Sequence, residues 1–276
     1  MSGASGTQDA DVQQRSLTLE ELGPFLRGVD LSDWFNPFLR TFAREAILSG
    51  GRATVACDRD RVLGLALTDP PERTVSVFCR SPVVVGLLRS GLEELSTYAE
   101  LDLGGPSEPF AIHRTDLPQP PAHRFRHRVR LLGPSELGGV AALLAEVYGQ
   151  SADRWLAIAQ AEGERCLGVD IDGELAGAAW VLLVGGHARL HSLAVRAGSR
   201  RRGVATDLVM ARLLFAWSRG ARTAVSEISE RNVPSQRAAV RSGMRPVGRW
   251  FLYPGSRDLP RTQGGGATDV DGPRSS

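Results

Sequence analysis

The sequence predicts an α/β protein built from two domains. Its 276 residues, of which 42% are hydrophobic, exceed what one ordinary domain needs and can bury a sizeable core. Apolar runs of strand length alternate with longer amphipathic segments that have helical spacing. Residues 104–124 contain five prolines, which disfavour a regular helix or a central strand and mark a boundary. We therefore expect an N-terminal half (residues 17–115), a linker (116–125) and a C-terminal half (126–254).

In the N-terminal half, residues 17–48 predict two helical pieces whose lengths are limited by Pro24 and Pro37. Three strand-like runs follow, ATVAC, VLGLALT and TVSVFC, and then a segment with helical spacing, VVVGLLRSGLEELSTYA. Within the proline-rich residues 104–124, residues 110–113 could form a short edge strand. Both chain ends, residues 1–16 and 255–276, are rich in small and polar residues, so we expect them to be disordered.

The C-terminal half repeats the alternation of strands and helices. A strand HRVRLLG and two helices, PSELGGVAALLAEVYG and SADRWLAIAQAEG, come first. RCLGVDI and ELAGAAWVLLV follow as a hairpin, because Asp172 and Gly173 form a strong turn signal between them. A strand and helix in residues 188–217, a strand TAVSEIS, a helix ending at Gly243 and a strand MRPVGRWFLY complete the prediction.

The two halves share a repeated pattern. Residues 55–67 (VACDRDRVLGLAL) align without gaps with residues 168–180 (GVDIDGELAGAAW), which matches Gly64 with Gly177. A third apolar strand follows each segment. The repeat indicates a tandem duplication, and the alternative is that two unrelated hairpins share a common pattern.

Charge and composition exclude several classes of function. The chain has 33 basic and 31 acidic residues, without the basic excess typical of nucleic-acid or membrane-surface proteins. It contains no lysine, which removes Schiff-base chemistry. The three cysteines have no metal-type spacing and lie in or beside apolar runs, so we expect no metal site. With neither a signal-peptide pattern nor a membrane-spanning run, we expect a cytoplasmic protein without nucleic-acid or membrane partners.

Residues 188–217 form the stretch that carries most chemistry. An apolar strand (190–195) leads into a basic turn with three arginines and Gly203, and an amphipathic helix follows. Such a junction directs backbone N–H groups and the positive end of the helix dipole at one place. The arginines add positive charge there, and the stretch therefore predicts a phosphate-binding site.

The turn resembles the acyl-CoA pyrophosphate loop of the GNAT N-acetyltransferase superfamily. That loop reads Gln/Arg-x-x-Gly-x-Gly/Ala after a strand ending in valine, and residues 200–205 here read RRRGVA after Val195. Asn232, Ser235 and Gly243 fall at similar spacings downstream, so the resemblance covers residues 126–253. It implies two GNAT-like domains, each a mixed, mostly antiparallel sheet flanked by helices. The N-terminal copy would be degenerate, since TVSVFC is followed there by RSPVVVGLLRSG, which lacks the Arg-x-x-Gly turn.

The resemblance also implies a cofactor site for acetyl-CoA. One backbone N–H, near Leu193, would polarise the thioester carbonyl. Asn232 and Ser235 would face the cofactor arm, although each is equally well explained as a helix-cap residue. The residues implied to bind the cofactor are Leu193, Ala194, Val195, Arg200, Arg201, Arg202, Gly203, Val204, Ala205, Thr206, Asn232 and Ser235.

Catalytic roles are less sharply defined. Glu227, on the strand before Asn232, and His191, on the strand that the resemblance expects to splay, compete as the general base. Many relatives carry a tyrosine seven residues after the asparagine, and this position is Ala239 here. The thiolate would leave unassisted, or Ser235 or another tyrosine would protonate it, so the general acid is unassigned.

The function implied is acetyl transfer from acetyl-CoA to a primary amine by direct attack in a ternary complex. The acceptor would be a small amine, an amino-acid derivative or a protein N-terminus, and the sequence does not rank them. The alternative is a non-catalytic protein that binds or senses acyl-CoA. The oligomeric state is not predicted.

Overall fold

We describe the fold from a computed structural model of the chain. It describes residues 12–18, 50–58, 61–70, 73–79, 81–99, 101–149 and 164–255, together with isolated positions between 21 and 46. Most of the predicted helical region 17–48 and the predicted helix in residues 151–163 lie outside the described residues. So do residues 1–11 and 256–276 at the two ends.

The described strands form one twelve-stranded sheet, in the order β1-β2-β3-β4-β5-β12-β6-β11-β10-β9-β8-β7. Neighbouring strands are antiparallel except in two pairs, β4–β5 and β10–β11, which are parallel. The strands are β1 (Val12–Leu17), β2 (Ala53–Asp58), β3 (Arg61–Asp69), β4 (Thr74–Cys79), β5 (Ser96–Ala99), β6 (Glu108–Asp116), β7 (Val129–Leu131), β8 (Glu164–Ile171), β9 (Glu174–Val184), β10 (His187–Val195), β11 (Thr223–Ser229) and β12 (Arg245–Tyr253).

Four helices bounded within the described residues pack on this sheet: α1 (Pro82–Arg89), α2 (Leu137–Tyr148), α3 (Val204–Ser218) and α4 (Val233–Arg241). Gly149 caps the C-terminus of α2 in the left-handed conformation (φ +69°), which glycine adopts without a steric penalty. None of the described helices is both long enough and apolar enough to cross a bilayer.

The segment 83–99, predicted as one helix, is a helix and a strand. Helix α1 ends at Arg89, and Gly91 has a φ of +77°, which terminates helical geometry. Residues Ser96–Ala99 then form β5, where Thr97 is fully buried. β-Branched and aromatic side chains suit such a pleated surface, and this preference outweighed the helical spacing of the leucines.

The proline-rich region also differs from the prediction. Instead of at most a short edge strand at residues 110–113, it contains the nine-residue strand β6, which lies between β11 and β12. Pro109 is its second residue, and residues 110–116 contain no proline, so their ladder with β11 is complete. The turn-like composition lies before and after the strand.

Strands β6 and β12 are exchanged between the two halves. The last strand, β12, pairs with β5 of the N-terminal half, and β6 pairs with β11 of the C-terminal half. Trp250 of β12 is buried against Phe78 of β4, with ring centroids 5.2 Å apart. The sheet therefore runs without interruption across the boundary expected at residues 116–125. The proposed domain limits remain a prediction.

Residues 12–16, expected to be disordered, belong to β1, which corrects that part of the prediction. Strand β1 pairs with β2 along its full length, from Val12 opposite Asp58 to Leu17 opposite Ala53. Four of its six residues are exposed, which suits an edge strand whose stability comes from main-chain pairing with β2.

The sequence repeat is also a structural repeat. Gly64 lies opposite Ala56, Gly177 lies opposite Val169, and in both hairpins a β-bulge follows this pair. A Cβ atom on Gly177 would lie 2.8 Å from Val204 of α3, and one on Gly64 would lie 3.1 Å from Leu88 of α1. Each glycine thus lets the following helix pack closely on the sheet. A shared register and bulge support duplication over two unrelated hairpins.

Candidate functional site

Strand β10 separates from its parallel neighbour β11 part of the way along. The two strands pair only over His187–Arg189, the first three residues of β10. Beyond that point the register of β10 against β9 shifts between His191 and Ala194, and Ser192 has a φ of +48°. This bulge turns the later part of β10 away from β11 and leaves main-chain groups of the strand facing a gap.

The turn after β10 leads directly into α3. Residues Ala197–Ser199 form a short 3₁₀ turn, and Arg201 and Gly203 both have positive φ, of +62° and +93°. No side chain caps the N-terminus of α3 in the described part of the chain. The N–H groups of its first turn and the positive end of its dipole are therefore available to an anion.

A cleft of about 950 Å³ opens beside this turn. Strand β10, the turn and the first turn of α3 form one wall, α4 forms another, and the end of α2 closes a third side. Five arginines line the cleft, which makes it strongly positive. They are Arg126, Arg200, Arg201, Arg237 and Arg241.

Ten of the twelve residues predicted to bind the cofactor line this cleft. The two exceptions are Ala194 and Arg202. Ala194 is only 1% exposed and packs in the core beneath α2, because its side chain points to the opposite face of β10. Arg202 is exposed and is not among the residues that line the cleft.

A second cavity, of about 170 Å³, lies between the diverging ends of β10 and β11. Both predicted bases, His191 and Glu227, line it. The two cavities share four residues, which places them side by side. These are Tyr148, Leu193, Asn232 and Ser235.

The two predicted bases have different partners. The Glu227 carboxylate pairs with the guanidinium of Arg189, whose Nε lies 3.0 Å from Oε1. The His191 imidazole places Nε2 3.0 Å from the carboxylate of Glu164, which is 7% exposed. Because an ionised carboxylate only accepts hydrogen bonds, Nε2 carries the proton, and Nδ1 faces the Ser192 hydroxyl at 3.0 Å. His191 thus has an oriented ring with its basic nitrogen directed at a hydroxyl.

A buried cation, Arg212 of α3, supports the bulge from beneath. Its guanidinium donates to the carbonyl oxygens of Trp180 at 3.0 Å, of His191 at 3.2 Å and of Leu208 at 3.3 Å. Burial lowers the pKa of Arg212 to about 10, so it remains charged at neutral pH. Two of these bonds hold carbonyl groups of β9 and β10 beside the bulge, those of Trp180 and His191, and the third stays within α3.

Tyr148 is a site residue that the sequence prediction missed. It is the last residue of α2, and its hydroxyl donates a hydrogen bond of 2.6 Å to the carbonyl oxygen of Leu193. Desolvation raises the pKa of Tyr148, and the nearby charge of Arg212 opposes this shift. The phenol is therefore protonated at neutral pH. Its partner is 45 residues away in sequence, and no local pattern links the two.

Asp207, in the first turn of α3, is a second residue that was missed. It is 1% exposed and accepts hydrogen bonds from His123 and His127, each at 2.8 Å. Although burial alone raises the pKa of Asp207, these bonds and two backbone N–H bonds lower it below the ordinary value. The sequence signal was present in HRFRH at residues 123–127, but its partner could not be identified.

The site thus combines a bulged strand that separates from its neighbour, a helix N-terminus without a side-chain cap and an arginine-lined cleft, all in an α/β fold. The family model described as the Acetyltransferase (GNAT) family matches residues 141–244. The matched segment runs from within α2 to the residue before β12, and it includes the turn and α3. Residues 141–244 thus form a GNAT-family domain, which confirms the resemblance seen in the sequence.

Solved structures with similar folds cover most of the chain. A GCN5-related N-acetyltransferase from Sphaerobacter thermophilus is 17% identical with a TM-score of 0.63, covering 89% of this chain and 95% of its own. A GNAT-family acetyltransferase from Colwellia psychrerythraea is 12% identical with a TM-score of 0.61, covering 87% and 98%. A tandem GNAT protein from the clavulanic acid biosynthesis pathway is 17% identical with a TM-score of 0.58, covering 88% and 98%. These likenesses confirm the predicted fold class. No curated protein is significantly similar in sequence.

Proposed function

We propose that the protein is an N-acetyltransferase that moves an acetyl group from acetyl-CoA to a primary amine by direct attack in a ternary complex. One observation carries the proposal: the positive cleft and the smaller cavity meet at Leu193, on the bulge of β10. A donor in the cleft and an acceptor in the smaller cavity would then meet at one point on the strand. The GNAT domain at residues 141–244 supports an acyl-CoA as the donor.

The residues of the cleft fit the chemistry of coenzyme A. Its diphosphate would contact the N–H groups at the start of α3, where Gly203 leaves the backbone open, and the guanidinium groups of Arg200 and Arg201. The pantetheine arm would run as an added strand along the part of β10 that no longer pairs with β11. The Leu193 N–H would then stabilise negative charge on the thioester oxygen.

We assign the general base to His191. Its ring is held by the buried Glu164 carboxylate, and Nδ1 can take a proton from the amine directly or through the Ser192 hydroxyl. Glu227 is already committed to Arg189, so its role would be to shape the acceptor cavity. As the amine nitrogen bonds to the acetyl carbon, the carbon–sulfur bond breaks and the amine proton passes to His191.

We assign the general acid to Tyr148. Ala239, at the position where relatives have tyrosine, is 2% exposed in the core and carries no proton to donate. Tyr148 lines both cavities, at the place where the sulfur would leave. It would give its proton to the thiolate, and the charge of Arg212 would stabilise the resulting phenolate.

A second candidate function is non-catalytic binding or sensing of an acyl-CoA. The ion pair between Glu227 and Arg189 favours it, because this pair occupies one of the two possible bases. The absence of a tyrosine at position 239 favours it as well.

The N-terminal half would be a degenerate copy without a cofactor site. Only two residues separate β4 from α1, compared with eight between β10 and α3. Pro82 begins α1 and has no N–H, so the first turn of α1 lacks one of the donors that an anion needs. The retained role of this half would be structural, since it contributes β6 to the sheet beside the active copy.

Calorimetry with acetyl-CoA, followed by measurement of free CoA thiol with a panel of amines, separates these functions. Binding with amine-dependent thiol release supports the enzyme, and the panel should include small amines, amino-acid amides and peptides with free N-termini. Binding without release for any amine supports the sensor. No binding of acetyl-CoA would refute both.

A further inference from the structure

The segment that joins β6 to β7 is fastened to the first turn of α3. Four hydrogen bonds converge on Asp207: from Nε2 of His123 (2.8 Å), from Nδ1 of His127 (2.8 Å), and from the backbone N–H groups of Arg126 (3.1 Å) and His127 (2.9 Å). The carboxylate is almost completely buried. Residues 123–127 are therefore held in one position relative to α3 although they belong to no helix or strand.

The hydrogen bonds from residues 123–127 to Asp207, here called the clamp, place Arg126 against the turn that precedes α3. A Cβ atom on Gly203 would lie 3.0 Å from Cδ of Arg126 and 3.6 Å from its Nε. Arg126 and His123 both line the cleft, whereas the exposed Arg124 and Arg128 do not. Asp207 bonds the backbone of Arg126 and leaves its guanidinium outside the clamp.

We propose that residues 123–127 are part of the phosphate-binding site, and that the guanidinium of Arg126 binds the diphosphate of the acyl-CoA. This inference rests on the proposed function, because it takes an acyl-CoA as the ligand. A guanidinium held over Gly203 stands next to the N–H groups at the start of α3, and it offers the paired donors that match phosphate oxygens. Asp207 is a positioning residue, since it fixes the backbone from which Arg126 reaches the cleft.

Calorimetry with three probes tests the role of Arg126. Acetyl-CoA contains the diphosphate and the 3′-phosphate, acetyl-dephospho-CoA contains only the diphosphate, and acetyl-pantetheine contains no phosphate. The Arg126→Gln variant should bind the first two about tenfold or more weakly than the wild type, because a charge-assisted hydrogen bond is lost. Its affinity for acetyl-pantetheine should not change.

Arg124→Gln and Arg128→Gln are matched controls, since they remove the same charge two positions away on exposed residues outside the cleft lining. They should bind all three probes like the wild type. Unchanged binding by Arg126→Gln, or a loss equal to that of the controls, would overturn the inference while the proposed function stood. A loss confined to acetyl-CoA would overturn the assignment to the diphosphate. Failure of the wild-type protein to bind acetyl-CoA would overturn the proposed function itself.

A double-mutant cycle tests Asp207. If Asp207 acts by placing Arg126, the Asp207→Asn variant should weaken acetyl-CoA binding in the wild-type background and have little further effect in the Arg126→Gln background. A purely structural role would give additive losses and would also weaken acetyl-pantetheine binding. Either of these results would overturn the positioning role.

Discussion

Replacement of Gly203 by glutamate should abolish useful acetyl-CoA binding while the fold is retained. Gly203 has a φ of +93°, so any side chain there adds roughly 1–2 kcal/mol of backbone strain. Its Cβ would meet the flexible end of Arg126 at 3.0 Å, which can move aside. The carboxylate would then stand beside the expected position of the diphosphate, and like-charge contact costs several kcal/mol, or roughly a thousandfold in affinity.

The turn offers a matched control for this variant. Gly198 is exposed, has ordinary φ, and a Cβ atom there would meet nothing within 4 Å. Gly198→Glu therefore makes the same change in charge without strain and away from the start of α3, and it should bind nearly as the wild type does. Affinity is measured by calorimetry and folding by thermal melting. A folded Gly203→Glu protein that binds acetyl-CoA with wild-type affinity would refute the placement of the diphosphate.

The remaining predictions concern the reaction and the buried thiols. Tyr148→Phe should lower kcat by about a hundredfold or more with little change in acetyl-CoA affinity, because only the acid is lost; unchanged steady-state kcat would contradict the assignment. His191→Gln should remove most of kcat at neutral pH, whereas Glu227→Gln should mainly raise KM for the amine. If His191→Gln changed mainly KM and Glu227→Gln mainly kcat, the two roles would be exchanged. Burial raises the pKa of Cys166 to about 12, so alkylation of the native protein at pH 9 should spare Cys166 and modify the partly exposed Cys57. Rapid alkylation of Cys166, identified by peptide mapping, would refute its burial.

Sequence predicted the local parts of the fold and site. Strands β2–β4 and β8–β11 follow from apolar periodicity, and the hairpin at Asp172 follows from its turn residues. The glycine at position 203 and the arginines beside it marked the turn that we propose binds the diphosphate, because helix dipole, backbone donors and charge are encoded in consecutive residues. The aligned Gly64 and Gly177 predicted equivalent places in the two hairpins, and both allow close packing of a helix.

Contacts between distant residues were not predictable. The exchange of β6 and β12 depends on pairing across the whole chain, and the strand pattern of β12 carries no sign of its partner β5. Tyr148 reaches Leu193 over 45 positions, and Asp207 meets His123 over 84. In segment 83–99 the leucine spacing predicts a helix throughout, although Thr97 and Tyr98 favour a strand. Short apolar segments fit both periods, so the sequence alone did not show where the helix gives way to β5.

A structure of the protein bound to acetyl-CoA would test most directly whether the donor and acceptor sites meet at Leu193. We expect the diphosphate at the first turn of α3, the thioester oxygen within hydrogen-bond distance of the Leu193 N–H, and the sulfur beside the Tyr148 hydroxyl. A cofactor bound away from the turn at residues 200–206, or with its thioester away from the bulge of β10, would contradict this placement of the two sites.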